Sequence, residues 1–178
     1  MSLSRKYNQL LNKNFLLVQS IQTSILMATG DALSQELMEK KGWKNYQARR
    51  TAEFAFLGCF LVGPALTGWY KILARHLGQK TNLSTTLLKV AADQLIFAPV
   101  FLGIFISCVG LLHGQNENQI RKTMEKKYWD ILFSNWAVWP VVQGGNFYFV
   151  PLKYQVLVVQ SVAVFWNTYL SWKTENDD

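Results

Sequence analysis

Charged residues in this chain of 178 residues are collected between long charge-free runs, and this segregation limits what the chain can fold into. A helix that crosses a bilayer needs roughly 20 mostly apolar residues. The last three runs approach or exceed that length alone, and the first two reach it only with a flanking carboxylate, Asp31 or Glu53. Helices of a soluble bundle would instead repeat charges every three or four positions. The sequence therefore predicts membrane-buried helices, from charge-free runs at residues 14–30, 54–70, 94–116, 131–152 and 154–172.

The net charge of +7 does not indicate a nucleic-acid groove, because the lysines and arginines are scattered over every connection between the runs. Basic residues at the ends of membrane helices contact anionic lipid headgroups and set topology. We therefore expect membrane lipids as partners and no direct binding of nucleic acid.

The predicted fold is all-α: a single integral membrane domain over residues 1–178, built as a polytopic transmembrane helical bundle of four or five spans. Residues 131–172 form an apolar stretch that would be about 63 Å long as one helix, twice the bilayer core, so the chain must fold back. Gly144-Gly145 and Pro151 with Lys153 are the two candidate turns. Between residues 116 and 129, charged and apolar residues interleave as in a short interfacial helix. The predicted spans are residues 15–37, 48–74, 87–112, 131–150 and 152–172.

Prolines and small residues mark how these helices bend and pack. A proline inside a helix removes a hydrogen bond and bends the helix, which a membrane bundle tolerates when neighbours satisfy the freed carbonyl. Small residues at every third or fourth position let another backbone approach closely, and they favour association of helices or of chains into a homo-oligomer. The predicted kinks are at Pro64, Pro99, Pro140 and Pro151. The small-residue stripes comprise Thr51, Ala55, Cys59, Gly63 and Thr67, and Gly103, Ser107, Gly110 and Gly114.

Carboxylates within or beside the predicted spans are the sharpest functional candidates. An ionised carboxylate at mid-membrane costs ~2.5 to 3.5 kcal/mol on insertion scales, so it should face a cavity or a cation. Glu53 has Arg49 and Arg50 four and three positions earlier, and Asp93 has Lys89 at the i, i+4 spacing, whereas Asp31 has no such neighbour. The alternative is that these ion pairs only anchor helix ends at the interface.

Carboxamides on shared helix faces are the second group of candidates. They could line a wet passage, or they could clasp helices together through hydrogen bonds that average only ~0.6 kcal/mol in membranes. The candidate functional residues, polar groups that would line a pore, are Asp31, Gln35, Arg49, Arg50, Glu53, Lys89, Asp93, Gln94, Asn135, Gln143, Asn146 and Asn167.

Enzymatic signatures do not occur in the sequence. His76 and His113 are isolated, Cys59 and Cys108 are far apart, and no zinc-binding or phosphate-binding motif occurs. We therefore expect no enzyme activity, no cofactor and no metal site.

The densest set of unusual residues lies in the last third, as W-x2-W-P-x2-Q-x2-N-F-x2-V-P from Trp136 to Pro151, followed by W-N-x-Y-L-S from Trp166. This region resembles the C-terminal block of the Mpv-seventeen family, and the likeness extends over residues from about 25 to 172. It is closer to the mitochondrial members than to the peroxisomal ones. Further matching residues are Gly30-Asp31 with Gln35, Arg49-Arg50-Thr51, Gly63-Pro64 with Trp69-Tyr70-Lys71, and Asp93-Gln94 with Ala98-Pro99.

The resemblance implies a multi-pass protein of the mitochondrial inner membrane, or alternatively of the peroxisomal membrane, with four spans. It also implies channel activity for small solutes or metabolites and a role in maintaining mitochondrial DNA through nucleotide supply and organelle homeostasis. Two hypotheses follow: a pore lined by the polar residues named above, or a non-conducting scaffold or assembly factor in which the same groups hold helices together.

Overall fold

The computed structural model describes residues 3–78 and 82–176, without the side chains of residues 3–5, 38, 167 and 169–176. All regular secondary structure in these ranges is helical, which confirms the predicted all-α class. Three π-helical turns interrupt the α-helices: Ser34–Met38 ends α2, Gly58–Val62 joins α3 to α4, and Asp93–Phe97 joins α5 to α6. The helices are α1 (Leu3–Lys13), α2 (Phe15–Leu33), α3 (Ala48–Leu57), α4 (Gly63–Leu77), α5 (Leu83–Ala92), α6 (Ala98–Leu112), α7 (Glu117–Phe149) and α8 (Leu152–Asn176).

Two of the four prolines are separated by one residue from the end of a π-helical turn. Pro64 and Pro99 are the second residues of α4 and α6, and each removes one backbone N–H that would otherwise donate to a carbonyl of the preceding wide turn. The residue before each proline closes the wide turn, because the N–H of Gly63 donates to the Gly58 carbonyl and that of Ala98 to the Asp93 carbonyl. The bends predicted at the prolines stay predictions.

Contacts group the chain into two compact units, residues 1–72 with 151–178 and residues 73–150. In the first unit, α2 packs against α3, the turn Gly58–Val62 and α8. In the second unit, α5 and α6 both pack against α7. The prediction of a single domain stays a prediction.

Two glycines bring backbones of the first unit into close contact. A Cβ added to Gly58 would lie 2.8 Å from the Cα of Ser24, and one added to Gly63 would lie 2.7 Å from the Cα of Ser20. The Ser24 hydroxyl donates to the Ala55 carbonyl at 2.8 Å across the same contact. The predicted stripe included Gly63 but missed Gly58.

Polar side chains are buried and large apolar side chains are exposed at many positions, which is unusual for a soluble protein. Gln19 and Thr23 are 0% exposed, whereas Leu95 and Phe60 are each 68% exposed. Large apolar surfaces facing outward are unfavourable in water and favourable in hydrocarbon. Among the residues described, two helical stretches are long and apolar enough to cross a membrane, with a shorter apolar helix at Leu152–Trp166. The two long stretches are Ala48–Leu77 and Leu83–Leu112. The count of four or five spans stays a prediction.

Residues 116–129 do not form a separate interfacial helix. The interfacial segment and the span predicted at residues 131–150 are one continuous helix of 33 residues, α7, because no glycine or proline interrupts it before Pro140. Its start is fixed by a capping box between Asn116 and Gln119.

The helix is interrupted at Val150-Pro151, whereas Gly144-Gly145 stay helical. Val150 is extended, with φ −101° and ψ 125°, the conformation that a residue before proline prefers. The other four predicted spans are helical along their length.

Candidate functional site

Asp31 is the centre of a buried ionic network in the first unit. This network, the Asp31 cluster, comprises Asp31, Gln35, Glu39, Arg50 and Thr51. The Asp31 side chain is fully buried, and its Oδ1 accepts a hydrogen bond from Arg50 Nε at 2.6 Å. Its Oδ2 accepts from Gln35 Nε2 at 2.8 Å and from Thr51 Oγ1 at 2.6 Å. Three donors therefore replace the water that this carboxylate would bind outside the protein.

Arg50 connects Asp31 to a second carboxylate. Its Nη1 donates to Glu39 Oε2 at 3.0 Å and its Nη2 to Glu39 Oε1 at 2.6 Å, a two-point pairing that suits the planar guanidinium. Lys41 Nζ lies 2.6 Å from Glu39 Oε2. Burial alone would raise the pKa of the Glu39 carboxyl, but hydrogen bonds from Arg50 and Lys41 outweigh burial and lower this pKa to about 2. Glu39 therefore stays ionised at neutral pH beside Arg50 and Lys41.

Gln35 and Thr51 attach the loop before α3 to this network. The N–H of Gln47 donates to Gln35 Oε1 at 2.7 Å. Thr51 uses its single hydroxyl hydrogen on Asp31, so the hydroxyl of Tyr46, 2.7 Å away, donates to Thr51 Oγ1. The Asp31 cluster thus connects α2, the loop before α3 and α3. Each acceptor in the cluster receives a hydrogen bond from a donor of the same cluster or the loop.

A second group of buried polar side chains lies in the other unit. This Asp93 cluster comprises Asp93 and Gln94 on the turn Asp93–Phe97 and Gln143 and Asn146 on α7, each at most 6% exposed. Asp93 Oδ2 accepts from Gln94 Nε2 at 2.8 Å and from Gln143 Nε2 at 2.9 Å. Asn146 Nδ2 donates in turn to Gln143 Oε1 at 3.2 Å.

Unlike the Asp31 cluster, the Asp93 cluster ends in oxygens that have no donor. Within the described chain, Gln94 Oε1 and Asn146 Oδ1 are buried and receive no hydrogen bond. Lys89, one turn before Asp93, is 5% exposed, and its amine forms no ion pair with any residue that the structure describes. Buried polar groups normally have partners, so these two oxygens are candidates for contact with water or a solute.

The wide turn itself supplies one more polar contact in the second unit. The Ala98 N–H bonds to the Asp93 carbonyl, and the next residue, Pro99, has no N–H, so the Gln94 carbonyl lacks its usual backbone donor. The indole Nε1 of Trp136 fills that role at 2.9 Å. This contact is absent from the predicted set, and its signal in the sequence is the proline five positions after Gln94.

The structure brings together most, but not all, of the predicted polar residues. Arg49 and Glu53 form an ion pair with 2.8 Å between Nε and Oε1, and 84% of the Arg49 side chain is exposed. Lys89 and Asp93, predicted as a pair, are both buried, and the described hydrogen bonds of Asp93 come from amides. Asn135 is half-buried on α7, and the side chain of Asn167 lies outside the described residues.

Glu39 and Thr51 belong to the Asp31 cluster but not to the predicted functional residues. Opposite charges at the two ends of the short connection between α2 and α3, Glu39 and Arg50, were the signal that could have found this pair. Thr51 was assigned only to the small-residue stripe, since a hydroxyl gives no sign in sequence of the acceptor that it binds.

Comparison with known proteins places this chain among membrane proteins of one family. The pattern of the Mpv17 / PMP22 family matches residues 110–171. The chain is 44% identical to mitochondrial inner membrane protein Mpv17 of Danio rerio over 169 residues, 95% of each chain. It is 43% identical to the Homo sapiens protein of the same name over 173 residues, 97% of this chain and 98% of the relative. Protein SYM1 of Gibberella zeae is 40% identical over 172 residues, 96% of this chain and 97% of the relative. No solved structure matches the chain.

Proposed function

The chain belongs to the Mpv17/PMP22 family, and on that premise we propose that it is a multi-pass protein of the mitochondrial inner membrane through which small solutes pass. The wall of the passage includes the Asp93 cluster. Relatives from animals carry the inner-membrane location in their names, and near-complete coverage of both chains supports the same location here.

One observation supports the passage above the others: the Asp93 cluster keeps hydrogen-bonding capacity that the described protein does not use. Gln94 Oε1 and Asn146 Oδ1 are buried oxygens without donors, beside the carboxylate of Asp93. Leaving a buried acceptor unsatisfied costs about 1–3 kcal/mol, a cost that water or a polar solute would remove. Polar groups in a membrane interior are expensive unless they meet such a cavity.

The direct test is conductance of the purified full chain in planar bilayers. We expect channel events above those of protein-free bilayers, with ion selectivity or gating altered by Asp93→Asn. Asp130→Asn is the matched control, because it removes the same charge from an exposed position on α7. Bilayers that stay silent with wild-type protein would refute the proposal, as would equal effects of the two substitutions.

The Asp31 cluster favours a second candidate, a non-conducting scaffold or assembly factor. Its donors and acceptors are matched within the protein, as expected of groups that only hold helices together. A scaffold predicts that Arg50→Met lowers stability or the recovery of partner proteins while conductance stays at the protein-free level in every variant. A passage predicts conductance in the wild type and a changed selectivity in Asp93→Asn.

At the level of the organelle, we propose that this transport supports metabolite and nucleotide homeostasis and thereby maintenance of mitochondrial DNA. The test measures mitochondrial DNA copy number in cells that lack the protein. Expression of the wild type should rescue the copy number, and this rescue is compared with that by Asp93→Asn expressed at the same level. Fractionation with protease protection assigns the inner membrane, and recovery in peroxisomes would contradict that location.

A further inference from the structure

A pocket of about 350 Å³ in the first unit combines two lysines with apolar walls. Its lining residues are Phe15, Lys71, Pro151, Leu152 and Lys153, from the start of α2, the second half of α4 and the start of α8 with the residue before it. Three stretches that are far apart in sequence therefore build one site. None of the residues that line it is acidic.

The two lysines present positive charge at this pocket. Lys71 Nζ lies 4.6 Å from the centre of the Phe15 ring, and Lys153 Nζ lies 4.7 Å from the centre of the Tyr154 ring. Lys153 also donates to Asn8 Oδ1 at 3.2 Å. Neither amine forms an ion pair within the part of the chain that the structure describes. Like charges lining one pocket repel each other, and an anion between them would reverse that cost.

Partly buried contacts hold the Lys153 side of the pocket in place before any ligand binds. Gln19, which is 0% exposed, donates from Nε2 to the Lys153 carbonyl at 3.0 Å. The Tyr154 hydroxyl donates to Asn8 Oδ1 at 2.8 Å, and the Tyr154 ring stacks on Tyr7 with 6.4 Å between ring centres. A site that is ordered in advance loses less entropy when it binds.

From this geometry we propose that the pocket binds the phosphate of an anionic phospholipid between Lys71 and Lys153, with an acyl chain along Phe15 and Leu152. The ammonium groups provide N–H donors for phosphate oxygens. Lys71 lies in the last two turns of the stretch Ala48–Leu77, which at about 45 Å is longer than the bilayer core and reaches headgroup depth there.

The apolar surroundings favour a lipid over a soluble phosphate compound. Leu16 and Leu17, next to Phe15, are 50% and 56% exposed, so an acyl chain leaving the pocket meets apolar surface. The proposal rests on the membrane setting of the proposed function but not on conduction. A chain that conducts nothing can therefore still pass the following test.

The test compares binding of phosphatidylglycerol and phosphatidylcholine to the detergent-solubilised full chain, by native mass spectrometry and by lipid-induced thermal stabilisation. Lys71→Gln with Lys153→Gln should weaken phosphatidylglycerol binding about tenfold or more and leave phosphatidylcholine binding unchanged. The control, Lys44→Gln with Lys122→Gln, removes the same charge from exposed positions outside the pocket and should keep wild-type affinity. Lys71→Arg with Lys153→Arg should also keep it.

A photoreactive phosphatidylglycerol provides a measurement that does not depend on how the variants fold. In the wild type it should crosslink to peptides that contain Phe15 or Leu152, and unlabelled phosphatidylglycerol should compete. Crosslinking elsewhere, or equal loss of affinity in the two glutamine pairs, would overturn the proposal. Competition by inorganic phosphate or ATP as strong as that by the lipid would assign the pocket to a soluble phosphate compound and overturn the lipid assignment.

Discussion

Replacing Arg50 by methionine tests whether the Asp31 cluster is a main determinant of stability. The substitution keeps a long side chain in place but removes the guanidinium that donates to Asp31 and, at two points, to Glu39. Glu39 keeps Lys41 at 2.6 Å, whereas Asp31 keeps only the neutral donors Gln35 and Thr51 among its described contacts. In this variant, Asp31 is therefore the carboxylate that lacks a cationic partner.

Removing one partner of a buried ion pair costs about 3–5 kcal/mol, because the other charge stays buried without compensation. For a chain of this size, 1 kcal/mol corresponds to a shift of about 2–4 °C in Tm, so Arg50→Met should lower Tm by about 6–20 °C. Arg49→Met is the matched control one residue away. Arg49 is 84% exposed in its pair with Glu53, and such a pair contributes about 0–1 kcal/mol.

The assay is thermal unfolding of the purified chain in lipid nanodiscs, followed by tryptophan fluorescence. Adding Asp31→Asn to Arg50→Met removes the uncompensated carboxylate and should recover part of the lost stability. Equal Tm values for the Arg49 and Arg50 variants would refute the reasoning, because exposed and buried pairs would then contribute alike. Failure of Asp31→Asn to recover any stability would show that the loss does not come from the carboxylate.

Three further predictions use the same unfolding assay. Gly63→Ala should cost about 1–3 kcal/mol, since its Cβ would meet the backbone of α2, whereas Gly68→Ala, with nothing within 4 Å, should be neutral or stabilising by up to about 1 kcal/mol. Trp136→Phe should cost about 1–3 kcal/mol because the Gln94 carbonyl loses its indole donor, and no loss of Tm would contradict that role. The pKa of Glu39 lies near 2 in the fold instead of its ordinary 4.5, so its stabilisation is complete above pH 4.5 and is lost as the pH falls towards 2. Glu39→Gln should flatten the curve of Tm against pH in that window.

Features governed by local rules were predictable from the sequence. The charge-free runs located the apolar parts of α2, α4, α6, α7 and α8, but not α1. Of the two candidate positions, the helix is interrupted at Pro151 because proline restricts the residue before it, whereas two glycines within a helix cost only about 1 kcal/mol each.

Features that depend on contacts distant in sequence were not predictable. Arg50 has Glu53 three positions away on its own helix, but it reaches Asp31 and Glu39 on elements that sequence spacing cannot orient. The π-helical turn at Asp93–Phe97 adds a residue to a turn without any hydrophobic signal of its own. Continuity of α7 was missed because a change from amphipathic to apolar pattern was interpreted as a boundary, although nothing there ends a helix.

The two clusters differ because arginine and carboxamides bind a buried carboxylate in different ways. The arginine side chain has donors and no acceptor. Arg50 can therefore donate to the carboxylates of the Asp31 cluster without adding an acceptor that needs its own donor. Each carboxamide has an oxygen acceptor as well as N–H donors. A carboxamide that donates to one group therefore needs a donor from another group for its own oxygen. Gln143 donates to Asp93, Asn146 donates to Gln143, and the oxygen of Asn146 ends the series without a described donor. A series of carboxamides that begins at a carboxylate therefore ends in an oxygen that water or a solute can satisfy, as the proposed passage requires.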